Sequence, residues 1–133
     1  MRYLLSPLFC LIILTPACKK NKAEFPFTDG TYTGTFQRQS FAFGQISNVT
    51  LTFSGNTWTG QSQFSKYPAL CHGTFKNNTS FSITFENDCA WTAEFDWSLI
   101  LSGNYQFKTD GRTLEISRNN NGGYKDIYKL TKL

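Results

Sequence analysis

From Gly30 onward, apolar and polar residues alternate with a period of two. Tyr32, Gly34 and Phe36 share one face of the first segment, and Thr31, Thr33 and Thr35 share the other. Val49, Leu51 and Phe53 repeat the pattern against Thr50 and Thr52. Past the turn Ser54-Gly55-Asn56 come Trp58, Gly60, Ser62 and Phe64, until Lys66-Tyr67-Pro68 breaks the run. Cys71, Gly73 and Phe75 then face one way, Asn77-Asn78 turns, and Phe81, Ile83 and Phe85 return. This alternation is the mark of half-buried strands, whose successive side chains point to opposite faces.

The longest run goes from Trp91 to Phe107, with only Ile100 out of phase. Fully extended it would span about 56 Å at about 3.3 Å per residue, more than strands usually reach. The expectation is a flap from Trp91 to Trp97 and a strand over Leu99–Lys108. Asp110-Gly111 then makes a hairpin turn into Thr113–Arg118. Asn119 to Gly123 turns again, and Tyr124–Thr131 is the last strand.

Eight strands joined by turn-length connections predict an all-β fold, an eight-stranded antiparallel up-and-down β-barrel that leaves no edge exposed. A two-sheet sandwich has the same periodicity and is the rival architecture. Glycines 34, 60, 73 and 103 fall on inward positions, where they either let the barrel bend sharply or leave room inside.

The residues before the barrel read differently. Met1-Arg2 is a basic start, Tyr3 to Leu14 is mostly apolar, and Thr15, Pro16 and Ala17 are small. That is the layout of a secretory signal peptide, too short for a stable membrane span. Leu14-Thr15-Pro16-Ala17-Cys18 resembles a bacterial lipobox, which implies cleavage before Cys18 and lipid attachment to it. The alternative is cleavage after Ala17 by ordinary signal peptidase, leaving a free thiol. The expected organisation is a signal peptide at 1–17, a lipidated N-terminus and polar tether at 18–29, and the barrel domain at 30–133.

Charge supports this division. The formal charge of +4 is concentrated at the start, since Arg2 leaves with the signal peptide and Lys19, Lys20 and Lys22 belong to the tether. The body is nearly neutral, which argues against nucleic acid as a partner.

Asp29-Gly30-Thr31-Tyr32-Thr33-Gly34 resembles the opening of lipocalin-like (calycin) barrels, with Tyr32 where true lipocalins carry tryptophan. Leu101-Ser102-Gly103-Asn104-Tyr105 and Tyr128-Lys129-Leu130 resemble small lipocalin-like lipoproteins of Bacteroidota-type bacteria. The resemblance implies a lipid-anchored outer-membrane protein, at the periplasmic face or the cell surface, without a cofactor.

Few residues suggest chemistry. With Cys10 removed and Cys18 acylated, Cys71 and Cys89 remain and are expected to form a disulfide in an oxidising compartment. The rival is a redox or metal pair beside His72, which on a strand would point away from Cys71. Glu94 and Asp96, flanked by Trp91, Phe95 and Trp97, have the spacing of a glycosidase or sugar-binding carboxylate pair. Alternating charge opposite large aromatics is also how an ordinary half-buried strand looks. The lone histidine leaves little for acid–base catalysis, so no enzyme is expected.

Trp58, Phe75, Phe85, Tyr105 and Phe107 are inward aromatics that either line a cavity or fill the core. If they line one, the protein binds a small apolar ligand. The alternative is a protein-interaction or inhibitor module, with Tyr67, Tyr124 and the Trp91–Trp97 flap as its contact patch.

Overall fold

The alternation becomes eight antiparallel strands in a computed structural model, which describes residues 28–42 and 44–133. The expected signal peptide, Cys18 and most of the tether lie outside the described residues. The strands are β1 (Gly30–Gln39), β2 (Ile46–Ser54), β3 (Thr57–Ser62), β4 (His72–Asn77), β5 (Ser82–Asn87), β6 (Gly103–Thr109), β7 (Thr113–Asn119) and β8 (Lys125–Lys132). Each pairs with the next, and β8 returns to β1, closing a barrel. The sandwich is thereby excluded. Among the described residues no helix is long and apolar enough to cross a membrane.

Tight hairpins drive the order. Gly55 adopts φ 60° between β2 and β3, a left-handed conformation that costs glycine nothing. Between β6 and β7, Asp110 Oδ1 accepts hydrogen bonds from the Arg112 and Thr113 amides at 2.9 and 2.7 Å. These bonds hold the Asp110 carboxyl down at about 2.

Inward side chains fill the barrel. Phe85 meets the rings of Tyr105, Trp58, Phe75 and Phe53 at centroid distances of 5.6, 6.0, 6.3 and 6.4 Å. Tyr105 continues to Tyr128 and Tyr128 to Phe36, so a chain of rings crosses the interior. The indole of Trp58 donates to Glu86 O at 3.0 Å, which satisfies its one polar atom.

The inward glycines bring backbones together instead of leaving space. A Cβ on Gly34 would sit 1.9 Å from Lys129 O, and one on Gly73 would sit 1.8 Å from Glu86 O. Both positions admit only hydrogen at the crowded strand contact. At Gly60 the Leu51 and Leu70 side chains occupy the neighbouring volume.

The strand expected over Leu99–Lys108 begins only at Gly103. Asp96 caps a single 3-10 turn, Trp97–Leu99, by accepting from Ser98 N. Ile100 then bridges to Ala69, and Gly103 takes φ 91°, which interrupts extension. Alternation alone could not register this cap. Phe81, expected to point inward, is exposed because it lies in the β4–β5 turn before Ser82 starts the strand. Tyr124, expected in the last strand, precedes β8 for a similar reason.

Antiparallel order gathers the β1–β2, β3–β4, β5–β6 and β7–β8 connections at one end, hereafter the loop end. The chain enters β1 at the opposite end, where Leu133 N also donates to Thr31 O at 2.9 Å.

Candidate functional site at the loop end

Period two places charged residues on the inward face of three adjacent strands. Arg38 lies two beyond Phe36 on β1, Arg118 two beyond Ile116 on β7, and Asp126 two before Tyr128 on β8. The register aligns Asp126 with Arg38 on one side and Arg118 on the other. Asp126 is only 1% exposed, so its charge needs a close partner.

Arg38 supplies it. Its Nε and Nη2 donate to the two Asp126 oxygens at 2.7 and 2.8 Å, a bidentate grip. Asn120 Nδ2 adds a third donor at 2.8 Å. The bond to Asp126 raises the Arg38 pKa further, while burial opposes it.

Both arginines also reach the β5–β6 segment. Arg38 Nη1 donates to Asp96 Oδ2 at 2.8 Å and to Ser98 Oγ at 2.9 Å. Arg118 donates from Nη1 to Ser102 O at 2.6 Å and from Nη2 to Ser98 O at 2.8 Å. Its guanidinium lies 4.3 Å from the Tyr105 ring centroid, a cation–π contact. The segment is thus strapped across the barrel mouth, with Leu101 fully buried beneath it.

The expected pair Glu94 and Asp96 does not converge. Glu94 is bonded to Lys66, the main reason its carboxyl falls to about 2, and Thr92 adds a second bond. Asp96 is lowered chiefly by bonds from Ser98 and also by Arg38. Each carboxylate is occupied in holding its own part of the segment.

The expected disulfide is present between Cys71 and Cys89, with Cα atoms 6.4 Å apart. His72 does not point away as strand alternation implied. Its ring lies with the two sulfurs inside a cluster spanning 4.8 Å, because Cys71 precedes β4 and is free of its alternation. Sulfurs joined to each other offer no thiolate to a metal.

Trp58, Phe75, Phe85, Tyr105 and Phe107 are brought together, all buried in the barrel core. Three exposed aromatics lie instead at the loop end, while exposed Phe81 lies at the opposite one. Trp97 is 54% and Tyr124 43% exposed, and Phe41 stands fully in solvent. Tyr67 is only partly buried, edge-on to Phe36 at 5.3 Å, and its hydroxyl donates to Gln45 O.

The charged row was missed in the sequence, although parity on β1, β7 and β8 carries the signal. No protein-family model, curated protein or solved structure matches this chain.

Proposed function

We propose that this chain is a non-enzymatic lipoprotein of the bacterial cell envelope, anchored in the outer membrane through Cys18, whose lipocalin-like barrel is a rigid scaffold for recognition at its loop end. The lipobox-like segment and the closed eight-stranded barrel support the first part of this reading. The observation that carries the second is the ring contact of Phe85 with four other core aromatics. A small apolar ligand inside the barrel would have to displace these rings and the strapped Leu101 above them. Recognition at the surface requires neither, and interaction surfaces favour exposed aromatics of the kind found at this end.

Topology adds a direction. The tether enters the barrel at the end opposite Trp97 and Tyr124, so an anchored protein presents its aromatics away from the membrane.

Photo-crosslinking from position 97 or 124 in intact envelopes, against position 50 on the barrel wall, tests this reading. A discrete crosslinked species from the loop end alone is expected. Equal labelling from position 50 would overturn it, as would native mass spectrometry showing a lipophilic molecule retained by the purified barrel.

A further inference from the structure

The end at which the chain enters β1 differs from the loop end in charge. The β2–β3, β4–β5 and β6–β7 turns gather there. The half of the barrel nearest to it carries Lys76, Lys108, Arg112, Lys129 and Lys132 against Asp29, Asp110 and Glu115. The loop half is balanced the other way, with Arg38, Lys66, Arg118 and Lys125 against Glu86, Asp88, Glu94, Asp96 and Asp126. A nearly neutral body is thus polarised along its axis, with its positive pole at the entry end. Two of the three carboxylates at that pole are engaged by turn amides. Asp29 Oδ2 accepts from Gly55 N at 3.0 Å, and Asp110 Oδ1 accepts from the Arg112 and Thr113 amides. The third, Glu115, lies 3.5 Å from Lys108 and aligns with Lys129 across β7–β8.

An aromatic side chain projects from the same pole. Phe81 is 71% exposed in the β4–β5 turn. Its backbone is fixed on both sides, since its N–H donates to Thr79 Oγ1 at 3.1 Å and its carbonyl accepts from Phe107 N at 2.9 Å. Asn78, Thr79 and Ser80 before it and Ser82 after it carry no charge. Lys108 lines the same groove as Phe81. A ring held out on an uncharged turn beside a lysine suits a bilayer interface. There the ring enters the boundary between headgroups and acyl chains, while the ammonium stays level with the phosphates. One exposed phenylalanine is ordinary on any surface. What distinguishes Phe81 is its place on the positive pole, at the end to which the segment from Cys18 leads.

Resting on the reading of Cys18 as a lipid anchor, we propose that the entry end docks on the anionic bilayer surface to which the chain is attached, with the Phe81 ring inserted. Residues 19–27 separate Cys18 from Thr28, so the barrel stands at most about 35 Å from its attachment point. Lys19, Lys20 and Lys22 in that stretch add to the same positive pole. Docking at such range is intramolecular, and a contact too weak to capture a free chain becomes populated. One phenylalanine and a few cations at headgroup level make a contact of that strength. It orients the barrel without holding it, so a chain lacking the lipid still leaves the membrane. In this orientation Trp97 and Tyr124 are outermost.

The test puts a benzophenone side chain at position 81, or at position 97, in the lipidated chain reconstituted in vesicles, and reads lipid adducts by intact mass. In phosphatidylethanolamine–phosphatidylglycerol vesicles, position 81 is expected to give several-fold more lipid adduct than position 97. Phosphatidylcholine vesicles or high salt should cut that yield several-fold, because the cations lose their counter-charge or are screened. Lys76→Glu with Arg112→Glu should act as high salt does, while Lys125→Glu at the loop end should not. With the benzophenone moved to position 56 in the β2–β3 turn, Phe81→Ser should also lower the yield, which separates insertion of the ring from mere proximity. Equal adducts at positions 81 and 97, or a yield at 81 indifferent to headgroup charge, would overturn the proposal. So would a protein adduct in place of lipid at position 81 in intact envelopes. A chain found to carry no fatty acid brings down the anchoring reading and the docking together. A lipidated chain whose position 81 meets no lipid brings down the docking alone.

Discussion

Arg38 and Asp126 face each other across the β1–β8 pairing, and one guanidinium grips both oxygens of a carboxylate that water scarcely reaches. The pair sits where the barrel closes on itself and where the β5–β6 segment is tied down. Removing Asp126 takes away the buried counter-ion of Arg38 and leaves it only the exposed carboxylate of Asp96. Asp126→Asn should therefore destabilise the fold by about 3–5 kcal/mol, whereas replacing both residues with apolar ones of similar volume should cost far less. Urea unfolding of the single and double variants checks this, and equal losses would contradict it.

The disulfide closes a separation of 18 residues between the residue before β4 and the segment after β5. Cys71→Ser with Cys89→Ser is expected to leave a folded barrel weaker by about 2–4 kcal/mol, mainly through a less restricted unfolded chain. Unfolding curves with and without a reducing agent should show the same gap in the unmodified protein. Stability that survives reduction unchanged would argue against a structural bridge.

Gly34 permits the closest backbone approach at the barrel seam. Gly34→Ala places a methyl 1.9 Å from Lys129 O, where only backbone can yield. A loss of about 3 kcal/mol or more is expected, at the upper end of overpacking costs. Gly55→Asn, at an open position with φ 60°, should be close to neutral, since asparagine tolerates that conformation. Thermal unfolding of both variants separates crowding from a general intolerance of glycine replacement.

Glu94 titrates at about 2 in the folded chain against an ordinary 4.5. Because the folded value is the lower one, the Lys66–Glu94 contact contributes fully above roughly pH 4.5 and is lost as the pH falls toward about 2. The side-chain carboxyl shift of Glu94 should report that low midpoint, and Lys66→Met should move it up toward the ordinary range. An unmoved midpoint would mean Lys66 is not the cause. The exposure of Glu94 makes salt a second probe, with high ionic strength also raising the midpoint.

Cys18→Ala should release the protein from the membrane fraction, since lipid attached there is the anchor proposed for it. Metabolic labelling with a fatty acid should mark the unmodified chain and miss the variant. Membrane retention of an unlabelled variant would refute the lipobox reading.

Strand number, order and the inward aromatic set were legible because alternation on a closed barrel maps directly to inside and outside. The disulfide was legible from cysteine arithmetic. The β5–β6 segment was not, because Asp96 capping a short turn and Ile100 pairing with Ala69 are local and long-range events that period two cannot distinguish from a strand. Phe81 shows the same weakness at a strand end, where a turn takes a residue out of phase. At the candidate site, Glu94 and Asp96 were visible as carboxylates but not as ion-pair partners, since Lys66 and Arg38 lie far away in sequence.

The seam between β1 and β8, which pairs Tyr32 with Lys132 and Gln39 with Lys125, has a kinetic consequence. Joining segments so distant along the chain delays the last contact, as in other folds dominated by non-local pairing. Until it forms, both strands offer bare rows of amides and carbonyls to any neighbouring chain. Ring closure is independent of concentration, while joining a second copy is not. Refolding yield should therefore fall as protein concentration rises, and crowding would make self-closure a race against association.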